Sequence, residues 1–127
     1  YATVAAEQQG RYVIPDPDPG KGYFFRSDHF NFAKVGIPAL YASGSYESKE
    51  KGVEFIDEKT QEYLAVKYHQ PQDNYEPEEW GLNGIAQDAK LLFNVGYRLA
   101  NETYWPQWNE GSEFKAKRDS DMSMKKK

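Results

Sequence analysis

Apolar positions recur at helical spacing over one long segment near the end of the chain. Between residues 82 and 100, the apolar and small side chains fall on a single stripe of a helix. This pattern predicts a long amphipathic helix, and its apolar face must pack against something apolar. The stripe consists of Leu82, Ile85, Ala86, Ala89, Leu92, Phe93, Gly96, Leu99 and Ala100.

Three shorter segments also have helical patterns. Residues 2–9 favour a helix that stops at Gly10, which fits the C-terminal end of a helix that began upstream. Ser27 is a suitable N-cap for a short helix that Gly36 ends. Residues 58–68 read as a further helix.

The remaining segments are predicted as one strand and several loops. Residues 37–43 read as a buried strand of moderate length. Residues 11–22 contain three prolines and two glycines, which exclude a helix or a central strand and indicate a surface loop. The polar residues 44–52 form a second loop. We expect the charged chain after Phe114 to be mobile, with residues 119–127 as a flexible tail.

Composition limits the classes of protein that the chain can represent. Its 127 residues suit about one domain, and its aromatic content of 16% means that Tyr, Phe and Trp rings supply much of the apolar surface. The net charge is −4, and the only dense basic run lies at residues 125–127, so the sequence gives little support to nucleic-acid binding. No apolar run approaches the length of a membrane span, and the absence of cysteine excludes disulfides and thiolate metal sites.

The start of the chain suggests a piece of a longer protein. It opens with Tyr1 rather than Met and shows no signal peptide. Together with the helix that fits an upstream beginning, this start indicates that the chain was cut from a longer sequence.

His69 is the first candidate for chemistry. It is one of two histidines and lies in "YHQPQDN", between a predicted helix and a proline turn. Imidazole is a common zinc ligand, but no HExxH, CxxC or HxH pattern accompanies it. Spacing alone therefore favours the plainer interpretation, a hydrogen-bonded surface histidine near a helix C-terminus.

The segment "SDH" allows two interpretations as well. Asp28 could orient His29 through a hydrogen bond, as carboxylates do in many catalytic sites. It could equally serve the first turn of the helix that Ser27 caps, where the dipole favours an acidic side chain. Trp105 and Trp108 are predicted to latch the last helix by packing rather than to form a ligand platform.

Taken in order, three features carry a resemblance to a known family. "YFFRSDHFNFAKVGIPALYASG" is followed by "YHQPQDNYEPEEW" and then by the long amphipathic helix. This order resembles the C-terminal part of the di-zinc exopeptidases, which include bacterial zinc aminopeptidases and, more distantly, glutaminyl cyclases. The similarity runs from about Arg11 to about Arg118, and the predicted peptidase region is residues 1–118.

The resemblance implies a fold and a set of site residues. The fold would be the C-terminal part of an α/β sandwich with a mixed sheet, incomplete in this chain. His69 matches the histidine that supplies the last zinc ligand, and Asp73 matches the aspartate expected to brace its loop. Ser27, Asp28 and His29 match a segment close to the substrate pocket. Gln70 and Asn74 depart from the family's usual threonines, though neither is a ligand position.

The resemblance also implies activity and partners. Tyr23 is the nearby phenol that would correspond to a tyrosine hydrogen-bonding the developing oxyanion. The whole enzyme would hold two zinc ions and hydrolyse the N-terminal peptide bond of peptide substrates, with the general-base Glu and the other ligands upstream, so this chain alone would be inactive.

Several alternatives and consequences follow from the same comparison. A metal-free peptidase-like binding or scaffold module and glutaminyl cyclase chemistry both occur on such a scaffold. With part of the fold upstream, the stripe on residues 82–100 would be exposed in a monomer. We therefore expect it to contact the remainder of the same protein or a second copy. Relatives of this kind are often exported, which favours a periplasmic or secreted location.

Overall fold

The computed structural model describes residues 1–44 and 46–124, and this part of the chain is helical. No helix within it is both long and apolar enough to cross a lipid bilayer. Contacts divide the chain into two compact units, one formed by Tyr1–Ala42 with the chain from Leu91 onward, and the other by Ser43–Lys90. The α-helices are α1 (Ala2–Glu7), α2 (His29–Lys34), α3 (Gly52–Val66), α4 (Asn83–Asn101) and α5 (Lys115–Met124), with 3-10 turns at Pro19–Lys21 and Tyr23–Arg26.

The expected α/β sandwich with a mixed sheet is wrong. Among the described residues there is no strand, and the one β-bridge joins Ser48 to Gly52 within a local turn. The predicted strand at residues 37–43 is not assigned as a strand. A strand is stable only when its backbone groups pair with a neighbour, and the sequence offers no second strand-like segment for this one to pair with.

In the first unit, helix α1 packs on the C-terminal half of α4. Ala5, Ala6, Leu91 and Val95 form the buried cluster, with Leu99 partly buried against it. The contact is therefore made by small side chains of α1 against branched side chains of α4.

The exposed side of α4 carries the stripe that the sequence pattern singled out. Leu82, which immediately precedes the helix, and Ile85, Leu92 and Phe93 remain 50–66% exposed, while Leu91 and Val95, outside that stripe, are buried. The helix itself is confirmed over nearly the predicted residues. Helix α1 contributes only small apolar side chains, which cover one narrow strip of α4, so these four residues of the stripe stay exposed while Leu99 of the stripe is partly buried.

Helix α2 ends in the way that its glycine predicts. Gly36 has φ +81°, its amide donates to the Ala33 carbonyl at 2.8 Å, and the Ile37 amide donates to the Phe32 carbonyl at 3.1 Å. These two bonds form a Schellman motif, which satisfies the last carbonyls of the helix. At the other end, Asp28 rather than Ser27 is the N-cap residue, and its side chain makes no capping hydrogen bond.

The C-terminal segment folds back onto α2. Trp108 donates its indole N–H to the Gly36 carbonyl at 3.1 Å, and its ring packs against Phe114 at 5.1 Å between centroids. Trp108 thus packs against the end of α2 and Phe114 rather than latching the long helix α4 as predicted, and Trp105 is 66% exposed.

Helix α5 lies where the sequence suggested a mobile charged segment. Ion pairs at helical spacing link Lys115 to Asp119 and Lys117 to Asp121. The predicted boundary at residue 118 falls inside this helix, and residues 119–124 of the predicted tail are helical. Residues 125–127, with the basic run, lie outside the described residues.

Helix α3 dominates the second unit. It begins at Gly52, six residues before the predicted start, because a turn in which the Gly52 amide donates to the Ser48 carbonyl at 2.8 Å leads directly into it. It ends at Val66, two residues before the predicted end. Tyr68 and His69 consequently lie beyond the helix, in the turn that follows it.

Candidate functional site

His69 occupies a backbone position that most residues avoid. Its φ is +59°, and it is the only non-glycine residue of the described chain with positive φ. The Gln70 amide donates to the Lys67 carbonyl at 2.9 Å, which places His69 third in a four-residue turn. Positive φ at that position is typical of a type II turn, where glycine is the usual residue. Histidine is one of the non-glycine residues that adopt this conformation most often, but it remains uncommon there.

Two side-chain hydrogen bonds tie the chain after His69 back to helix α3. Gln72 donates its amide to the Val66 carbonyl at 3.0 Å, which satisfies a carbonyl at the helix end. The Tyr63 hydroxyl donates to the Asp73 carboxylate at 2.8 Å. Asn74 adds a bond within the turn by donating to the Pro71 carbonyl at 2.7 Å. The loop that carries His69 is thus closed against the helix by residues on its C-terminal side.

The electrostatics of the Tyr63 and Asp73 pair follow from this geometry. The hydrogen bond to the Asp73 carboxylate raises the pKa of the Tyr63 phenol, because the bond is lost when the phenol ionises. Burial and the negative charge of Asp73 act in the same direction. The phenol therefore stays protonated, and remains a donor, throughout the neutral range.

The His69 ring is accessible. The residue is exposed, and its ring packs against the Tyr68 ring at 4.0 Å between centroids in an edge-on arrangement. Within the described part of the chain, neither ring nitrogen takes part in a hydrogen bond. Neutral imidazole is a common zinc ligand, so His69 fits a zinc site as one of its ligands, with a ring nitrogen as the donor atom.

The rest of a zinc site is not gathered around His69. Across residues 1–44 and 46–124, no group of three or more His, Asp or Glu side chains is arranged to hold a metal ion. Asp73, the nearest carboxylate in the motif, is engaged by Tyr63. A four-coordinate zinc would need donors in addition to His69.

A shallow groove of about 260 Å³ lies beside helix α3 in the same unit. Lys67 spans part of it, with an ion pair to Glu79 at 3.2 Å and its ammonium 5.7 Å from the centroid of the Trp80 ring. The groove is lined by Lys59, Glu62, Tyr63, Val66, Lys67, Glu79 and Trp80. Through these two contacts, Lys67 holds Glu79 and Trp80 against the C-terminal end of α3.

The "SDH" segment lies in the first unit. Tyr23 opens a 3-10 turn, is 41% exposed and has the Arg26 guanidinium 5.4 Å from its ring centroid. Ser27 and Asp28 are both exposed. Asp28 is the N-cap residue of α2, and within the described residues its side chain makes no capping hydrogen bond.

His29 is surrounded by aromatic rings. Its ring stacks on Tyr41 at 4.8 Å and meets Phe24 edge-on at 4.6 Å, and Phe24 in turn stacks on Phe114 at 5.9 Å. Among the described residues, the buried His29 Nε2 atom has no hydrogen-bond partner. These surroundings make His29 a packed histidine of the first unit, unlike the exposed His69.

The predicted site residues are divided between the two units. Tyr23, Ser27, Asp28 and His29 belong to the first unit, and His69 and Asp73 belong to the second. The structure brings His69 and Asp73 into one short turn.

Sequence reasoning missed two of the residues that hold this turn. Tyr63 lies within the helix predicted over residues 58–68, and that prediction gave no role to its hydroxyl, which reaches Asp73 ten positions later. Gln72 lies inside the quoted motif, but its bond to the helix end follows no local spacing rule. A tyrosine one turn before a helix end, followed by an aspartate in the next loop, is the only available sequence signal.

Comparisons with known proteins identify a family. The model of the family described as "Peptidase family M28" matches residues 1–93, which include the "SDH" segment, the whole His69 turn and the first half of helix α4. The resemblance suggested a similarity from about Arg11 to about Arg118. The family match begins ten residues earlier, at residue 1, and ends earlier, at residue 93. No curated protein and no solved structure matches the chain.

Proposed function

The chain belongs to peptidase family M28, and from that premise we propose that it is part of a zinc-dependent aminopeptidase. The reaction is hydrolysis of the first peptide bond of a peptide with a free N-terminus. In this proposal His69 is a zinc ligand, and the remaining ligands and the general-base Glu come from upstream in the same protein.

The observation that carries the proposal is the position of His69. The imidazole is exposed on a turn with positive φ, in the region that the family model matches. Positive φ at a non-glycine residue costs about 1–2 kcal/mol. A histidine at such a position is explained if its side chain must be delivered to one point in space, as a metal ligand must.

Each residue of the turn has a separate task in this account. His69 binds the metal through a ring nitrogen, and Asp73 holds the turn through its bond with Tyr63. When bound, zinc supplies Lewis-acid polarisation of the scissile carbonyl and of the attacking water. Ser27, Asp28, His29 and Tyr23 are proposed to belong to the substrate side of the site, as the resemblance implies.

The chain by itself is proposed to be inactive. Metal-assisted hydrolysis needs several ligands and a base beside the water, and no group of three or more possible ligands is arranged to hold a metal within the described residues. A periplasmic or secreted location is the setting that the resemblance supports.

The experiment is an activity assay on two proteins. The natural protein that contains this chain and the 127-residue chain alone are each incubated with aminoacyl-nitroanilide substrates, with and without a zinc chelator. The proposal predicts chelator-sensitive release of nitroaniline by the former and none by the latter.

Two other results would replace the proposal. Cyclisation of N-terminal glutaminyl peptides without aminopeptidase activity would indicate glutaminyl cyclase chemistry. A folded protein with neither activity nor bound zinc would indicate a metal-free binding module. An amino-blocked peptide is the matched control substrate, because an aminopeptidase requires the free amino group.

A further inference from the structure

Tyr63, in the last turn of helix α3, contacts the chain both before and after His69. The Tyr63 carbonyl accepts the amides of Lys67 and Tyr68, each at 2.9 Å, so its backbone fixes the start of the turn. The Tyr63 hydroxyl then binds Asp73 at 2.8 Å, so its side chain fixes the end of the same turn. One residue therefore contacts the chain on either side of His69.

Ring packing adds a second connection between Tyr63 and His69. The rings of Tyr63 and Tyr68 lie 5.9 Å apart between centroids, and the Tyr68 ring lies 4.0 Å from the His69 ring. Movement of Tyr63 would be transmitted to the imidazole through Tyr68 as well as through Asp73. The series from Tyr63 to His69 lies wholly in the second unit.

The backbone of His69 makes such support necessary. A left-handed residue other than glycine relaxes to other conformations unless its surroundings hold it. The hydrogen bond from Tyr63 goes to a carboxylate, and charge-assisted bonds are stronger than neutral ones. The hydrogen bond from Gln72 also ties this loop to α3, but it binds the Val66 carbonyl at the helix end and does not involve Asp73.

We infer that Tyr63 is a positioning residue for the His69 imidazole, acting by clamping Asp73 and thereby the turn between them. The inference rests on the proposed function, since it assigns the clamp to the orientation of a zinc ligand. Tyr63 touches neither metal nor substrate in this assignment. Its effect is to reduce the set of orientations that the imidazole adopts before the metal binds.

The first measurement uses the 127-residue chain and amide hydrogen exchange by NMR. Tyr63→Phe removes the hydroxyl and keeps the ring. Exchange of the Gln70 and Asp73 amides, which donate within the turn, should become about fivefold faster, the size expected from one net hydrogen bond. Tyr75→Phe is the matched control, because Tyr75 is exposed and its ring packs on Trp80; it should leave both amides unchanged.

The second measurement is zinc affinity by chelator competition in the natural protein that contains this chain. Tyr63→Phe should lower the affinity by about tenfold, a typical loss for a residue that orients a ligand. Tyr75→Phe, the matched control, should keep the affinity of the unmodified protein. Asp73→Asn keeps an oxygen that accepts the Tyr63 hydroxyl and should lose less affinity than Tyr63→Phe.

The outcomes separate the inference from the function on which it rests. If His69→Ala loses zinc but Tyr63→Phe binds zinc as tightly as the unmodified protein, the clamp is overturned and the proposed function stands. If His69→Ala retains all its zinc, the proposed function fails and the inference fails with it. Loss of affinity with Tyr63→Phe, and not with Tyr75→Phe, supports the clamp.

Discussion

A Cβ atom placed on Gly36 would lie 2.8 Å from the backbone nitrogen of Arg118. Real Cβ atoms do not approach other atoms that closely, so the backbone of α5 lies against residue 36, just beyond the end of α2, only because that residue has no side chain. The same glycine has φ +81° and accepts the indole hydrogen bond of Trp108. One residue thus ends a helix and receives the C-terminal segment.

Gly36→Ala should destabilise the chain by about 2–5 kcal/mol, the sum of a left-handed alanine and an overpacked contact. Gly20→Ala is the matched control, because a Cβ there meets nothing within 4 Å. Urea denaturation should place the midpoint of Gly36→Ala far below that of Gly20→Ala. Equal midpoints would show that α5 does not pack at Gly36.

Trp108→Phe should cost about 1–2 kcal/mol, because the Gly36 carbonyl loses its donor and a smaller ring packs on Phe114. Trp105→Phe changes a ring that is 66% exposed and should stay within about 0.5 kcal/mol of the unmodified chain. Thermal unfolding of the two variants gives the comparison. A larger effect at Trp105 would contradict the described packing.

His69→Gly should be more stable than His69→Ala by about 0.5–1 kcal/mol. Glycine avoids the cost of a left-handed conformation but gives part of that gain back as chain entropy in the unfolded state. Both variants lack the imidazole, so their difference isolates the backbone at φ +59°. Chemical denaturation measures it, and an alanine variant as stable as the glycine variant would argue against a left-handed residue 69.

Glu102→Gln should remove an acid-sensitive part of the stability. Hydrogen bonds from Tyr1 and Arg98, both at 2.5 Å, lower the pKa of Glu102. A lowered carboxyl pKa stabilises the fold fully above the usual value of about 4.3, and this stabilisation is lost as pH falls through the lowered value. Melting temperatures of the two proteins should therefore differ near pH 6 and converge near pH 2.

The control for this comparison is Glu58→Gln, since Glu58 makes no side-chain hydrogen bond or ion pair within the described residues. Its difference from the unmodified chain should stay small between pH 6 and pH 2. A pH-independent gap for Glu102→Gln would mean that the carboxylate charge is not what holds Tyr1 and Arg98.

Local signals explain what the sequence could predict. Gly10 and Gly36 end helices where glycine is expected, and the apolar period of residues 82–100 located helix α4. The "SDH" and "YHQPQDN" motifs, in that order, indicated a family of zinc exopeptidases. The peptidase family M28 model, which matches residues 1–93, supports that assignment at the level of the peptidase family. Each of these features depends on a few neighbouring residues.

Features that depend on distant contacts were not predictable. Which side of α4 is buried depends on the small residues of α1, almost ninety positions away in the sequence. A strand at residues 37–43 required a partner strand, and apolar content alone does not supply one. The bond from Tyr63 to Asp73 depends on how the chain turns after Val66, which no periodic pattern specifies.

Zinc content of the natural protein that contains this chain is the most direct test of the assignment of His69. It should be measured per molecule for the unmodified protein, for His69→Ala and for His29→Gln, which alters the only other histidine of the chain. The account predicts that His69→Ala loses zinc while His29→Gln retains it, since His29 is packed among aromatic rings. Full zinc content in a folded His69→Ala protein would contradict the account.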